Sequence, residues 1–339
     1  MVADAPVAPM EALLVDALPE GPGWYFEPKW DGFRAVAERD GDHVELWSKS
    51  GKPLARYFPE VAARLLALPE RRFLLDGELV IPIGDRLSFD ALQARLHPAA
   101  SRIARLSQDT PAQLILFDCL GVGDCALAAA PLSERREALA RFHARMQDSA
   151  IILSPYSTDP EDARRWLADA GGALDGVIAK PADAPYQHGL RAMRKIKQLR
   201  TADCVVGGYR SGEDGLVASL LLGLFDDAGK LDHVGFTSAF PAAERRALAP
   251  LLGPHRGGPG FTGKAPGGPS RWNAGKDHGY VALAHDLVLE IVYDQITAGR
   301  FRHGTRFLRW RPDKAPAACT REQLVRELRP AELMQIVGS

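Results

Sequence analysis

The stretch Glu27-Pro28-Lys29-Trp30-Asp31-Gly32-Phe33-Arg34 limits what this chain can fold into more than any other. Pro28 has no backbone donor and restrains Glu27 to extended geometry, so Lys29 is expected at a strand end or in a loop. Gly32 reaches backbone angles closed to its neighbours and lets the chain turn tightly around whatever Lys29 faces. A lysine held among polar groups and beside a second cation, here Arg34, can lose its proton near neutral pH and act as a nucleophile. A surface hairpin with solvent-paired charges has the same composition, so the assignment depends on the rest of the chain.

Met10–Leu18 reads as a short helix. Phe33–Arg39 and His43–Ser48 flank Asp40-Gly41, a hairpin signal. Ser48-Lys49-Ser50-Gly51-Lys52 forms a small basic loop suited to a phosphate or ribose, or a plain turn. Tyr57–Leu68 has helical spacing. Phe73–Leu75 and Leu79–Ile83 bracket Asp76-Gly77-Glu78 as a strand pair that presents Glu78, to a ribose hydroxyl, to a metal or to solvent. Ser88–Leu96 reads as helix and Gln113–Cys119 as a buried strand, whose Phe117 is either core or a face on which a base stacks. Leu132–Met146 and Pro160–Ala170 are amphipathic helices, the second capped by Gly171-Gly172. Asp175 and Lys180 bracket a short apolar strand; five apart, they cannot share a face, so Asp175 acts from the strand's start. Lys195 and Lys197 do share a face, which suits an anion between them or a lysine pair that simply faces solvent.

After Arg200 the texture changes. Cys204–Tyr209, Leu216–Phe225 and His233–Phe236 are β-rich runs, followed by a helix at Ala242–Leu252, as at the start of a small Greek-key barrel. Residues 253–279 hold 9 Gly and 4 Pro among 27, an extended loop that carries Arg256, Lys264, Arg271 and Lys276. Val281–Tyr293 returns to strand. Arg300–Lys314 has six Lys and Arg against one acid, including Arg300, Arg302 and Arg306. Its Phe301, Phe307, Leu308 and Trp310 call for burial. Thr320–Val337 reads as helix.

At 339 residues, two domains are expected, 1–200 and 201–339; 46% apolar and 25% charged residues suit an ordinary globular chain. Residues 1–189 carry 20 Lys and Arg against 28 Asp and Glu, whereas 190–339 carry 22 against 15. An acidic first part joined to a basic second part points to a polyanion on the second. Four cysteines without a close pair suit a reducing cytoplasm, and no signal-peptide pattern opens the chain. The longest apolar run, Leu216 to Phe225, is too short to span a bilayer.

In this order, the clusters from Tyr25 to Lys314 resemble the covalent nucleotidyltransferases: ATP-dependent DNA ligases, RNA ligases and capping enzymes. The likeness is strongest to the small bacterial C-type DNA ligases, with Lys29-x-Asp31-Gly32-x-Arg34 at one end and Arg311-Pro312-Asp313-Lys314 at the other. The resemblance implies an α+β, two-domain chain: an adenylation domain of antiparallel sheets with flanking helices, then an OB-fold β-barrel with a C-terminal helix. It implies that Lys29 attacks the α-phosphate of ATP, that Glu27 recognises adenine and that Phe117 stacks on it. It assigns Arg34, Lys49 and Glu78 to ribose and phosphate, places Lys180 among the nucleotide contacts, and sets Lys195 and Lys197 on the α-phosphate. Glu78 and Asp175 would hold magnesium or manganese, and Arg311, Asp313 and Lys314 would close over pyrophosphate through a hinge near Arg200–Asp203. The implied partner is nicked duplex DNA, bound by a monomer away from membranes, in repair. Two positions depart from the family: Lys49 stands for the usual Arg, losing a bidentate fork, and Asp175 for the usual Glu. An RNA ligase, a GTP-using capping enzyme or a silent nucleic-acid-binding barrel are the alternatives.

Overall fold

The hairpin signal at Asp40-Gly41 is obeyed, with strands Phe33–Asp40 and His43–Ser48 pairing antiparallel. The computed structural model describes all residues except 1–6, 85, 147, 170–173, 198, 239, 241, 268–278, 295, 298, 302–303 and 325–339. They form two compact units, the second beginning at Leu199.

In the first unit the hairpin extends into a sheet ordered Ile151–Leu153, Gln113–Val122, Arg72–Val80, Phe33–Asp40, His43–Ser48. Ala35, Ala37, Leu75, Leu79, Leu114 and Leu116 are buried with Val61 and Leu65 of helix Pro59–Ala67 and with Leu139 and Phe142 of helix Leu132–Ala144. That shared apolar layer holds helices to sheet. The strand pair expected around Asp76-Gly77-Glu78 is instead one continuous strand, Arg72–Val80. Gly77 permits this, because a Cβ there would lie 2.7 Å from the Ile115 carbonyl oxygen, where the pairing with the neighbouring strand shifts register.

A second sheet is ordered Ala12–Leu14, Met193–Ile196, Val177–Pro181, Trp24–Pro28. The helix expected over Met10–Leu18 is therefore wrong. Ala12–Leu14 pairs in parallel with Met193–Lys195, and Val15 N–H donates to Lys195 O at 3.0 Å. Backbone bonds to an open sheet edge outweigh a helix propensity of a few tenths of a kcal/mol per residue, roughly. This pairing and that of Ile151–Leu153 with Leu114–Leu116 are parallel, and the other pairings in the two sheets are antiparallel.

In the second unit the sheet order is Leu231–Thr237, Val217–Phe225, Arg200–Ser211, Val288–Tyr293, Arg306–Trp310. Its outer strands meet: Thr305 N–H and hydroxyl donate to Phe236 O at 3.2 and 3.0 Å, and the Thr237 hydroxyl donates to Thr305 O at 3.0 Å. The sheet thus closes on itself, as an OB barrel does, with helix Ala242–Leu252 inserted. The strand expected over Val281–Tyr293 is split into Val281–Ala282 and Val288–Tyr293. Phe301 is buried and Phe307 and Trp310 are half-buried, but Leu308 is exposed. Leu308 is the extra residue of a bulge, skipped where Arg309 pairs with Glu290 and Phe307 with Ile291. Of the helix expected over Thr320–Val337, the described part is a 3-10 turn at Arg321–Gln323; the remainder from 325, like the Gly171-Gly172 cap, lies outside the described residues.

Candidate active site

Lys29 follows the edge strand Trp24–Pro28 directly, a place where the missing Pro28 donor costs little. Its backbone is stapled to the turn before Val177–Pro181: Lys29 N–H donates to Gly176 O and Asp175 N–H donates to Lys29 O, both at 2.9 Å. Asp175 therefore stands just before the strand's start, as expected. One of its oxygens meets Lys29 Nζ, and the other lies 2.9 Å from Lys197 Nζ. Gly32 crosses the strand Arg72–Val80 so closely that a Cβ would lie 2.1 Å from Leu79 O, and its N–H donates to Glu78 Oε1 at 3.1 Å. The same glycine that turns the chain thus brings Glu78 to Lys29. Burial pushes the Glu78 carboxyl up to about 7; Arg34 and Lys29 oppose the rise, and Asp31 and Asp76 add to it. Lys195 is held below the usual lysine range by burial and by the neighbouring charges of Lys29 and Lys197.

Deeper in, Glu27 and Lys180 form a buried ion pair at 2.7 Å across adjacent strands. The second Glu27 oxygen, Oε1, is buried without a hydrogen-bond partner. Lys180 Nζ and Arg34 Cζ each lie 4.8 Å from the centre of the Phe117 ring. Arg34 grips Asp76 with both forks, at 2.7 and 2.6 Å. These groups border one cavity of about 430 Å³, lined among others by Glu27, Lys29, Arg34, Lys49, Glu78, Phe117, Lys180 and Lys195. Asp175 and Lys197 join it through Lys29. Lys49 sits at the exposed side, 3.2 Å from Glu11. Sequence reasoning missed Ile178 and Met193, which also line the cavity, and the wall Pro9–Leu14. Ile178 was within reach, since it shares a strand face with Lys180.

A buried carboxylate beside other acids, and a carboxylate held between two ammonium groups, each offer hard oxygen ligands of the kind magnesium takes, with phosphate oxygens and water completing its set. Glu78 and Asp175 fit that description. Among the described residues no three His, Cys, Asp or Glu side chains gather into a protein-only metal cage.

In the second unit Arg311 reaches Asp203 and Asp313, each at 2.8 Å, and Lys314 Nζ lies 3.4 Å from the other Asp203 oxygen. The hydrogen bond from Arg311 is the main cause that holds Asp313 down at about 2. Asp203, which gathers both cations, was missed because its partners are more than a hundred residues away. Arg256, Lys264, Arg300 and Arg306 are exposed, with Arg256 over the Tyr209 ring and Arg300 Nη2 2.9 Å from His233 Nδ1. Arg271, Lys276 and Arg302 lie outside the described residues.

Comparison with known proteins bears on both units. Residues 9–197 match the family described as the ATP dependent DNA ligase domain, and 213–314 match the ATP dependent DNA ligase C terminal region. DNA ligase C2 of Mycolicibacterium smegmatis is 48% identical over 94% of each chain, and DNA ligase C of Mycobacterium tuberculosis 46% identical over 95% of each. A structure of a Lig E DNA ligase, solved in a study of DNA binding with a minimal scaffold, shares the fold with a TM-score of 0.55 at 18% identity, covering 89% of this chain and 99% of its own.

Proposed function

Because the chain belongs to the ATP-dependent DNA ligase family and so joins DNA at the expense of ATP, we propose that Lys29 is the residue that carries AMP between them. The observation that carries this reading is the meeting of Lys29 with Asp175 beside a cavity furnished with Glu27, Phe117 and Lys180. Lys29 Nζ gives up a proton to solvent and its lone pair attacks the α-phosphorus. An N–P bond forms, the P–O bond to the β-phosphate breaks, pyrophosphate leaves with the bonding pair and the nitrogen sheds a second proton, while Asp175 orients Nζ. The 5′-phosphate of DNA next attacks the same phosphorus, breaking the N–P bond and returning Lys29 as the amine. The 3′-hydroxyl then attacks the activated 5′-phosphorus, losing its proton as AMP departs with the bonding pair.

The other side chains position and neutralise. Glu27 Oε1, free of a protein donor, accepts from the adenine edge, and Phe117 offers its ring face. Arg34 and Lys49 take ribose and phosphate oxygens, while Lys195 and Lys197 share the α-phosphate and offset the charge building there. Magnesium or manganese would be held by Glu78 and Asp175 and would there supply further neutralisation of the phosphoryl oxygens. Arg311, Asp313 and Lys314 act on pyrophosphate, with Asp203 keeping the two cations together. Nicked duplex DNA is bound through Arg256, Lys264, Arg271, Lys276, Arg300, Arg302 and Arg306, by a monomer serving repair in the bacterial cytoplasm. The division of labour follows the domains, 1–200 for adenylylation and 201–339 for the barrel. Among the described residues no helix is long and apolar enough to cross a membrane.

A nick-sealing assay with ATP or GTP and with DNA or RNA strands tests the assignment. Sealing of DNA nicks with ATP alone is expected. A covalent GMP adduct, or sealing confined to RNA, overturns it in favour of the capping or RNA-ligase reading.

A further inference from the structure

No motif in the sequence singles out Tyr186, yet its hydroxyl closes a ring of contacts at the cavity's edge. It donates to Asp76 Oδ2 at 2.5 Å and accepts the Met10 N–H at 2.9 Å. Asp76 grips Arg34 with both oxygens, and Arg34 Nη2 returns to Met10 O at 3.2 Å. The circuit runs Met10, Tyr186, Asp76, Arg34, Met10. Tyr186 is 5% exposed and Asp76 fully buried, so solvent does not compete for these bonds. Burial, and then the Asp76 charge, holds the Tyr186 hydroxyl protonated above the usual range, which keeps it a donor. Met10 and Arg34 both line the nucleotide cavity.

We infer that Tyr186 and Asp76 form a clamp that positions Arg34 and the Met10 wall for the nucleotide, which makes Tyr186 a positioning residue for the adenylylation step. This rests on the reading of Arg34 as a nucleotide contact. An arginine on a flexible stem holds one direction only when its fork is met on a rigid acceptor. Asp76 is such an acceptor, and the tyrosine hydroxyl fixes both its second oxygen and the Met10 backbone. A buried hydroxyl needs partners wherever it lies; what marks this one is that Met10, which it accepts from, and Arg34, which its acceptor Asp76 grips, both line the cavity.

The test compares Tyr186→Phe, Asp76→Asn, Arg34→Ala and the Tyr186→Phe/Arg34→Ala double variant. Each is assayed for lysyl-AMP formation against ATP concentration, for sealing of pre-adenylylated nicks, and for melting temperature. Loss of the hydroxyl strands the Met10 N–H and loosens Arg34, so Tyr186→Phe should raise KM for ATP roughly tenfold, with kcat and the sealing step little changed. Asp76→Asn should raise KM in the same way, and once Arg34 is Ala the further effect of Tyr186→Phe should shrink well below tenfold, since only the Met10 route remains. A lowered melting temperature with KM unchanged in Tyr186→Phe, while Arg34→Ala does raise KM, overturns the clamp alone. Additive effects in the double variant overturn it too. If Arg34→Ala itself leaves KM unchanged, the clamp falls together with the nucleotide reading of Arg34.

Discussion

In the first unit Glu27 and Lys180 meet at 2.7 Å with 3% of either side chain exposed, whereas in the second Arg309 meets Glu290 at the same distance with 61% of its own side chain in solvent. Equal distances carry unequal weight. A buried pair is fixed in direction and fails badly when one partner is lost, while an exposed pair contributes about 0–1 kcal/mol and lets go readily. The first unit therefore keeps its charges in prepared geometry around one cavity. The second presents Arg256, Lys264, Arg300 and Arg306 to solvent, which suits a long polyanion met at many points.

The largest effect expected on either side of that contrast is at Lys29. Lys29→Arg should abolish AMP attachment, because a guanidinium stays protonated and cannot attack, while binding of nicked DNA persists; a labelled-ATP gel beside a DNA-binding titration checks both. Next comes the buried pair. Lys180→Met strands the Glu27 charge and should destabilise the protein by about 3–5 kcal/mol in chemical denaturation, with ATP use lost as well.

The second unit has its own buried titratable group. Burial, followed by the charges of Arg300 and Arg210, lowers His233 from 6.5 to about 4. The unfolded chain then binds more protons between those values. Stability is full above pH 6.5 and falls as pH drops through about 4, by on the order of 3 kcal/mol. His233→Gln should flatten that acid limb in melts recorded across the range. The smallest effect belongs to the exposed cations: Arg256→Ala or Arg306→Ala should each lower the salt slope of nick binding by about 1 and leave lysyl-AMP formation alone. A matching drop in lysyl-AMP would erase the distinction between the units.

What could be read from the sequence follows the same division. Local signals held wherever a residue's chemistry dictates its neighbours: the Asp40-Gly41 hairpin, Pro28 ending its strand before Lys29, and Asp175 at the start of Val177–Pro181. Glu27, Lys29, Arg34, Glu78, Phe117, Lys180 and Lys195 line one cavity because the motifs that carry them sit on or beside two sheets joined through the turn at Gly32. The failures are non-local. Ala12–Leu14 is a strand only because Met193–Lys195, some 180 residues on, offers an edge. Arg72–Val80 runs straight through Asp76-Gly77-Glu78 only because Gly77 makes room for a neighbouring carbonyl. Tyr186 and Asp203 carry no motif, and their partners lie more than a hundred residues away.

The central claim is that the first unit's prepared geometry makes one lysine, among several near the cavity, the carrier of AMP. Peptide mapping by mass spectrometry after incubation with ATP and magnesium tests it most directly. The adduct is predicted on the peptide bearing Lys29 and on no other, and on none in Lys29→Arg. An adduct on Lys180, Lys195 or Lys197 of the unaltered protein, or any adduct surviving Lys29→Arg, would contradict it.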